Sequence, residues 1–272
     1  MSEDILFERR DGVAVITLSR PDRLNAVTSA MVEELITILD RLATDTATRV
    51  VVLTGAGRAF TAGMDIRGGG AGASPADEDA EPEGQVARIY RSLARSGDLV
   101  LRLREIPQPV IAALHGPVTG MGMSVALACD LRVADPTARF IAPFLKLGFS
   151  AGDLGLTWLL PRLIGASRAA EIFYRARPVH AAEAYDLGLI AELAEEGADL
   201  DTAFALADEL LTRSPFGLRH TKELLNLSID ASGLRGHLAL ENRTQTMAFL
   251  TEDLTEGVAA TLEKREPNFR NR

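Results

Sequence analysis

The chain has 272 residues, 47% of them hydrophobic and 25% charged, at a mean hydropathy of +0.08. That is enough apolar material for a sizeable α/β core and excludes a disordered or collagen-like chain. A formal charge of −9 excludes a generally basic surface, so no nucleic-acid partner is expected, and the single cysteine, Cys129, excludes internal disulfides and a cysteine-rich metal site.

The opening MSEDILFERRDG is charged and has no apolar h-region, and no run reaches the roughly 18 apolar residues that a membrane span needs. The expectation is a cytoplasmic protein with no membrane span and a buried Cys129. Leu6 to Arg9 and Val13 to Leu18 flank Asp11-Gly12, the pattern of a β-hairpin. Pro21 to Asn25 reads as a loop. Ser29 is placed to cap a helix from about Ala30 to Ala43, with Met31, Leu35, Ile38 and Leu42 on one face. Val50 to Thr54 reads as a buried strand that runs into the glycine-punctuated GAGRAFTAGMDIR, ending near Met64 and Asp65. Residues 68–85, rich in Gly, Ala, Pro, Asp and Glu without periodicity, are expected to form a mobile surface insertion.

A helix over roughly Val86 to Arg104 leads through Pro107 and Pro109 to VIAALHGPVTGMGMSVALACDLRV, residues 110–133. Val110 to Leu114 is apolar without alternation, as in a strand buried on both faces. His115, Gly116 and Pro117 break it, and small and apolar residues from Met121 to Ala128 predict a closely packed helix. Gly120 and Gly122 flank its first turn, where free N–H groups and the helix dipole favour a developing negative charge. The strand, glycine loop and helix recur after Val50 and after Val110, which favours a mainly parallel sheet. Gly120-x-Gly122 lacks the third glycine and the acidic ribose anchor of a dinucleotide fold. Short strands are expected at Leu131 to Ala134 and Arg139 to Ile141, followed by a Gly148 to Gly155 loop that carries Asp153. Helical spacing then occupies Ala166 to Tyr174, Ala181 to Leu187, Phe204 to Leu211, Pro215 to Leu227, Leu234 to Phe249 and Leu254 to Lys264.

Five stretches in order, VVLTGAGRAFTAGMDI, VIAALHGPVTGMGMSVALACDLRVA, LGFSAGDLGLTWLLPRLIGASRAAEIF, residues 181–190 and EGVAATLEKREPNF, together resemble the crotonase (enoyl-CoA hydratase/isomerase) superfamily and cover nearly the whole chain. The resemblance implies an α/β fold: a ββα spiroid acyl-CoA-binding core over residues 1–200 and a helical trimerisation region over 201–272, assembled as a homotrimer or a dimer of trimers. It implies an acyl-CoA thioester as substrate, with CoA part of that substrate and no separate cofactor. It also implies a thioester enolate whose oxygen is held by the amides of Met64 and Met121, at roughly 3 kcal/mol of transition-state stabilisation per donor. Taken alone, the two methionine side chains read as core filler. By the same resemblance Arg23, Leu24 and Ala26 lie against the adenine and phosphates, Ala62, Asp65 and Ile66 along the pantetheine, and Gly120 in the second amide turn. Lys264 reaches a neighbouring subunit's CoA phosphate. A solvated Arg23 and a structural Asp65 are the plainer readings of those residues.

The sequence departs from the family at two points. Ser124 and Phe144 stand where enoyl-CoA hydratases carry their two water-activating glutamates, which puts standard hydration in doubt and predicts a dry wall at Phe144. Asp153 is similar to the catalytic aspartate of dienoyl-CoA isomerases and chlorobenzoyl-CoA dehalogenases, although one extra residue separates it from Gly148. As a proton shuttle or nucleophile it needs a raised pKa; as a helix cap it needs none. His115 replaces the family's usual asparagine, and Glu241 and Arg243 read as an ion pair or subunit contact. Two functions stand at this point: an enzyme that moves a proton on an acyl-CoA rather than adding water, and a catalytically silent acyl-CoA-binding or regulatory protein.

Overall fold

The computed structural model describes residues 3–66 and 84–272. The insertion expected at 68–85 lies outside the described residues except for Gly84 and Gln85, and Gln85 already opens a helix.

Strands β1 (Ile5–Arg10) and β2 (Val13–Leu18) form the expected hairpin, turned by Asp11 and Gly12 at φ 45° and 87°. The chain continues through β3 (Val50–Gly55), β4 (Val110–Leu114), β5 (Pro117–Thr119), β6 (Leu131–Ala134), β7 (Arg139–Ile141), β8 (Pro178–His180) and β9 (Glu192–Leu193). One sheet has the order β1-β2-β3-β4-β6-β9 and is parallel beyond its first pair; β5, β7 and β8 form a second, smaller sheet.

The helices are α1 (Ser29–Ala43), α2 (Gln85–Glu105), α3 (Met121–Ala128), α4 (Leu156–Ile164), α5 (Ala166–Arg175), α6 (Ala181–Asp186), α7 (Asp199–Leu211), α8 (Pro215–Ile229), α9 (Leu234–Ala248) and α10 (Glu252–Glu263). The main sheet is covered on both faces, which is why β4 and the Val50–Leu53 run of β3 are apolar. Val51, Leu53, Ala112 and Leu114 join a core with Leu35, Leu39, Leu99, Leu103 and Val125 of α1, α2 and α3. Their neighbours Val50, Val52, Ile111 and Ala113 face the other way, against Ala203 and Ala207 of α7. A boundary at residue 200 therefore falls inside a helix that closes the sheet. Cys129 is buried as expected, and burial pushes its thiol up to about 12.

The structure corrects several local expectations. Thr28 rather than Ser29 caps α1: its backbone is extended and its Oγ1 accepts the Met31 N–H at 3.2 Å, whereas Ser29 is already helical. The helix expected from Phe204 begins at Asp199. Helix α4 and strands β5, β8 and β9 carry too little periodicity to be read: α4 has Pro161 inside it, and each of these strands has at most three residues.

In α8, α9 and α10 the buried residues are Lys222, Thr244, Asp253 and Ala260, while Leu225, Leu227, Leu234, Leu238, Val258 and Leu262 are exposed. Lys222 pins α8 to the core by donating to Leu103 O at 2.8 Å and Gln108 O at 2.9 Å and by pairing with Asp130 at 2.8 Å. Among the described residues, no helix is long and apolar enough to cross a membrane.

Candidate active site

The two glycine-rich segments meet through their backbones. After Phe60 the chain runs extended between two others: Ala62 N–H donates to Leu24 O and Asp65 N–H to Val27 O on one side, while Thr61 N–H donates to Pro117 O at 3.0 Å and Thr119 N–H to Thr61 O at 3.1 Å on the other. This places Gly63 and Met64 beside Gly120 and Met121. The approach is close enough that a β-carbon added at Gly63 (φ 93°) would stand 2.6 Å from Thr119 O and 3.6 Å from Met121 N, and one at Gly122 would stand 2.3 Å from Thr61 Cγ2. Glycine is required at both positions.

Met121 is the first residue of α3, after Gly120 at φ 54° and ψ −120° with no side-chain cap. Met123 and Ser124 N–H both return to Gly120 O. The N–H groups of Met64 and Met121 have no hydrogen-bond partner among the described residues. Their side chains do act as core filler, Met121 buried and Met64 packed against the core from its edge. The side chains therefore fit the packing reading, and the amides remain unpaired. Two unpaired donors, one at a helix N-terminus, form a place for a partly negative oxygen.

Phe144 stands next to this turn: its Cζ lies 3.7 Å from where a Gly120 β-carbon would be, and its ring packs against the core. Ser124 is fully buried, and its Oγ donates to the backbone oxygen of Asp153 at 3.1 Å. The loop bearing Asp153 is thus tied to α3 one turn beyond Met121. The Asp153 carboxylate has no hydrogen-bond or ion-pair partner among the described residues, and burial raises its pKa from 3.8 to about 6. It does not cap α4, whose N-cap is Gly155 without a side-chain bond.

Of the residues expected along CoA, Leu24 and Ala62 are joined by a backbone hydrogen bond. Leu24 (φ 50°) follows a 3-10 turn at Pro21–Arg23, Ala26 N–H returns to Arg23 O, and Leu24 O holds Ala62. Arg23 and Ile66 are exposed. Asp65 is paired with Arg20 at 2.9 Å, which supports its structural reading. Arg20 and Asn25 are functional supports that sequence reasoning missed. Asn25, fully buried at φ 53°, accepts from Arg20 N–H and donates to Ala56 O at 2.8 Å and Ala59 O at 2.7 Å, while its own carbonyl accepts from Thr61 Oγ1 at 2.6 Å. The signal available was an asparagine, tolerant of left-handed backbone, closing a turn.

Lys264 is exposed at the left-handed end of α10, and no hydrogen bond or ion pair joins it to the other site residues within the chain. Glu241 pairs with His237 rather than with Arg243. A cavity of about 670 Å³ between α2, α4 and α8, bordered by Val100, Gly155, Trp158 and Leu227, does not reach Met64 or Met121.

Comparison with known proteins places this geometry among relatives. A family model described as enoyl-CoA hydratase/isomerase matches residues 8–272. The chain is 40% identical to the probable enoyl-CoA hydratase EchA12 of Mycobacterium tuberculosis, over 96% of this chain and 90% of that protein. It is 37% identical to the 1,2-epoxyphenylacetyl-CoA isomerase of Escherichia coli, over 99% of each. A crystal structure of a probable enoyl-CoA hydratase/isomerase from Mycobacterium abscessus superposes with a TM-score of 0.89 at 34% identity, covering 98% of this chain and 99% of that one.

The isolated carboxylate carries a stability cost with a definite sign. Because the folded chain holds the Asp153 proton more tightly than an unfolded one, ionising Asp153 costs stability, fully above pH 6 and not at all below its ordinary value of 3.8. At about 1.4 kcal/mol per tenfold change in proton affinity, reduced for partial exposure, Asp153→Asn is expected to stabilise the fold by roughly 1–2 kcal/mol at about pH 8 and by less at about pH 5. Urea midpoints at the two pH values measure this, and an equal or opposite shift contradicts the burial of the charge.

Proposed function

The chain belongs to the enoyl-CoA hydratase/isomerase family, and on that premise we propose that it moves a proton on an acyl-CoA thioester by way of an enolate, as an isomerase rather than as a two-glutamate hydratase. The observation that carries this reading is the pair of unpartnered amides, with an uncompensated carboxylate on the loop that Ser124 ties to α3, and Ser124 and Phe144 at the two glutamate positions. The thioester oxygen accepts from the Met64 and Met121 N–H groups, and as the α-proton leaves, the negative charge collects on that oxygen, where both donors and the α3 dipole favour it. Asp153, largely ionised at neutral pH yet a stronger base than an exposed aspartate, takes the proton and returns it at another carbon, leaving the double bond moved and the atoms conserved. Phe144 keeps that side of the site dry, and Ser124, already engaged by the Asp153 carbonyl, offers no carboxylate to activate water.

The resemblance to the Escherichia coli 1,2-epoxyphenylacetyl-CoA isomerase supports this reading. The strip of Arg23, Leu24, Ala26, Ala62, Asp65 and Ile66 is the proposed path of CoA, with Asp65 acting through its bond to Arg20. CoA is part of the substrate, and the reaction needs no separate cofactor. The exposed leucines of α8, α9 and α10 support assembly as a homotrimer or a dimer of trimers, in which Lys264 meets the CoA of a neighbouring subunit.

Two measurements test this. Deuterium exchange at the α-carbon of a saturated acyl-CoA, together with turnover of a panel of enoyl- and dienoyl-CoAs, is expected for the wild type and is expected to fall roughly 100- to 10,000-fold in Asp153→Asn. Thioester binding should change little. An unchanged rate in the variant removes Asp153 from the mechanism, and binding without exchange or turnover identifies a silent acyl-CoA carrier. Light scattering is expected to give a mass of three or six 29.2 kDa chains; a monomer contradicts the assembly.

A further inference from the structure

Ser124 reaches out of its own helix. A serine hydroxyl within an α-helix commonly turns back to the carbonyl four residues earlier, which here is Gly120 O. That oxygen already accepts the Met123 and Ser124 N–H groups at 2.9 and 3.2 Å, and Ser124 Oγ donates instead to the backbone oxygen of Asp153 at 3.1 Å, 29 residues away. Ser124 is fully buried, which keeps bulk water from competing for the hydroxyl. Helix α3 thus carries two parts of the site: Met121 at its first position presents an unpaired N–H, and Ser124, roughly 4.5 Å further along the axis, anchors the loop that bears the carboxylate.

Asp153 is held by its main chain. Its N–H donates to Ala151 O at 3.0 Å, and its carbonyl accepts from Leu156 N–H at 2.8 Å as well as from Ser124. The next two residues are both left-handed, Leu154 at φ 45° and Gly155 at φ 80°. Glycine adopts that backbone freely, whereas a leucine there is strained because its β-carbon crowds the following carbonyl oxygen. A β-carbon at Gly155 would meet Val100 Cγ1 at an ordinary 3.8 Å, so the direction of the turn, and not crowding, sets the backbone at that point. Leu154 packs against the core from its edge, and Leu156 is buried in it. A strained residue of this kind persists only where its surroundings over-determine the backbone.

We infer that Ser124 is a positioning residue for the reaction proposed above: its bond to the Asp153 carbonyl holds the left-handed Leu154–Gly155 turn in place and fixes the carboxylate relative to the Met121 amide. The position matching a hydratase glutamate then serves the base on the neighbouring loop and does not itself touch substrate. Without the hydroxyl, Asp153 O keeps the Leu156 N–H and α4 still starts at Leu156, but the strained turn loses one of the contacts that enforce it. The carboxylate then spends less of its time within reach of the α-carbon.

The kinetic consequence rests on the proposed function and the tether does not, so one arm of the test needs no turnover. Amide hydrogen exchange is compared in wild type and Ser124→Ala, a change that keeps a good helix former in α3. Protection of residues 151–156 is expected to fall several-fold in the variant, while that of the Thr61 and Thr119 amides stays the same. The kcat for α-carbon exchange should fall roughly 10- to 100-fold, with KM for the acyl-CoA within about twofold. Ser124→Cys, similar in shape but a weaker donor, should lie between the two. In an Asp153→Asn background, adding Ser124→Ala should alter the residual rate by less than about twofold, because the group it positions is gone. Loop protection that is equal in wild type and Ser124→Ala overturns the tether, and a loss of kcat that is as large without the Asp153 carboxylate as with it overturns the positioning role. Loop protection lost in a protein that shows no α-carbon exchange supports the tether and removes the proposed reaction.

Discussion

Two backbone hydrogen bonds, from Thr61 N–H to Pro117 O and from Thr119 N–H to Thr61 O, hold together the loops on which the site depends. Each contributes only about 1 kcal/mol net, but leaving such groups unpaired in a buried place costs roughly 1–3 kcal/mol apiece, so the register between the loops is strongly specified. Small residues make the pairing possible. Gly63 and Gly122 stand where any β-carbon would meet Thr119 or Thr61. Asn25 secures the arrangement from behind: its side-chain amide donates to the carbonyls of Ala56 and Ala59, and its backbone carbonyl accepts from the hydroxyl of Thr61.

A site made of main-chain donors is insulated from the side chains that carry them. Met64 and Met121 are packing residues whose amides the same backbone leaves unpaired, so in the proposed reaction the chemistry is set by which carboxylates stand around those amides. Here Ser124 has been drawn into holding the Asp153 loop, and Phe144 into covering Gly120. Asp153 is left without a compensating partner among the described residues, at a cost in stability and with its pKa raised by burial to about 6, the property the proposed shuttle needs.

Much of this was legible in the chain. The unbroken apolar runs at Val50 and Val110 announced strands covered on both faces, and the helix from Met121 to Ala128 was readable from its small residues and flanking glycines. What escaped was non-local or very short. Arg20 and Asp65 meet across 45 residues, and His115 and Asp199 across 84, with no local signal that pairs them. Helix α4 was hidden by Pro161, and β5 by having three residues that begin with proline. Thr28 and Ser29 are both good caps, and only the backbone angle at Thr28 decides between them. For Asp153, the structure decides only against the cap, since Gly155 holds that place without a side-chain bond, and the burial of the carboxylate is a property of the folded neighbourhood.

The central claim is that the Met64 and Met121 amides meet at one thioester oxygen. Isotope-edited infrared spectroscopy of an acyl-CoA labelled with carbon-13 and oxygen-18 at its thioester carbonyl measures that contact directly. Two convergent donors polarise the C=O bond, so the stretch of the bound thioester is expected at lower frequency than in water. A stretch at the aqueous frequency or above it, with the ligand saturating the protein, contradicts the account.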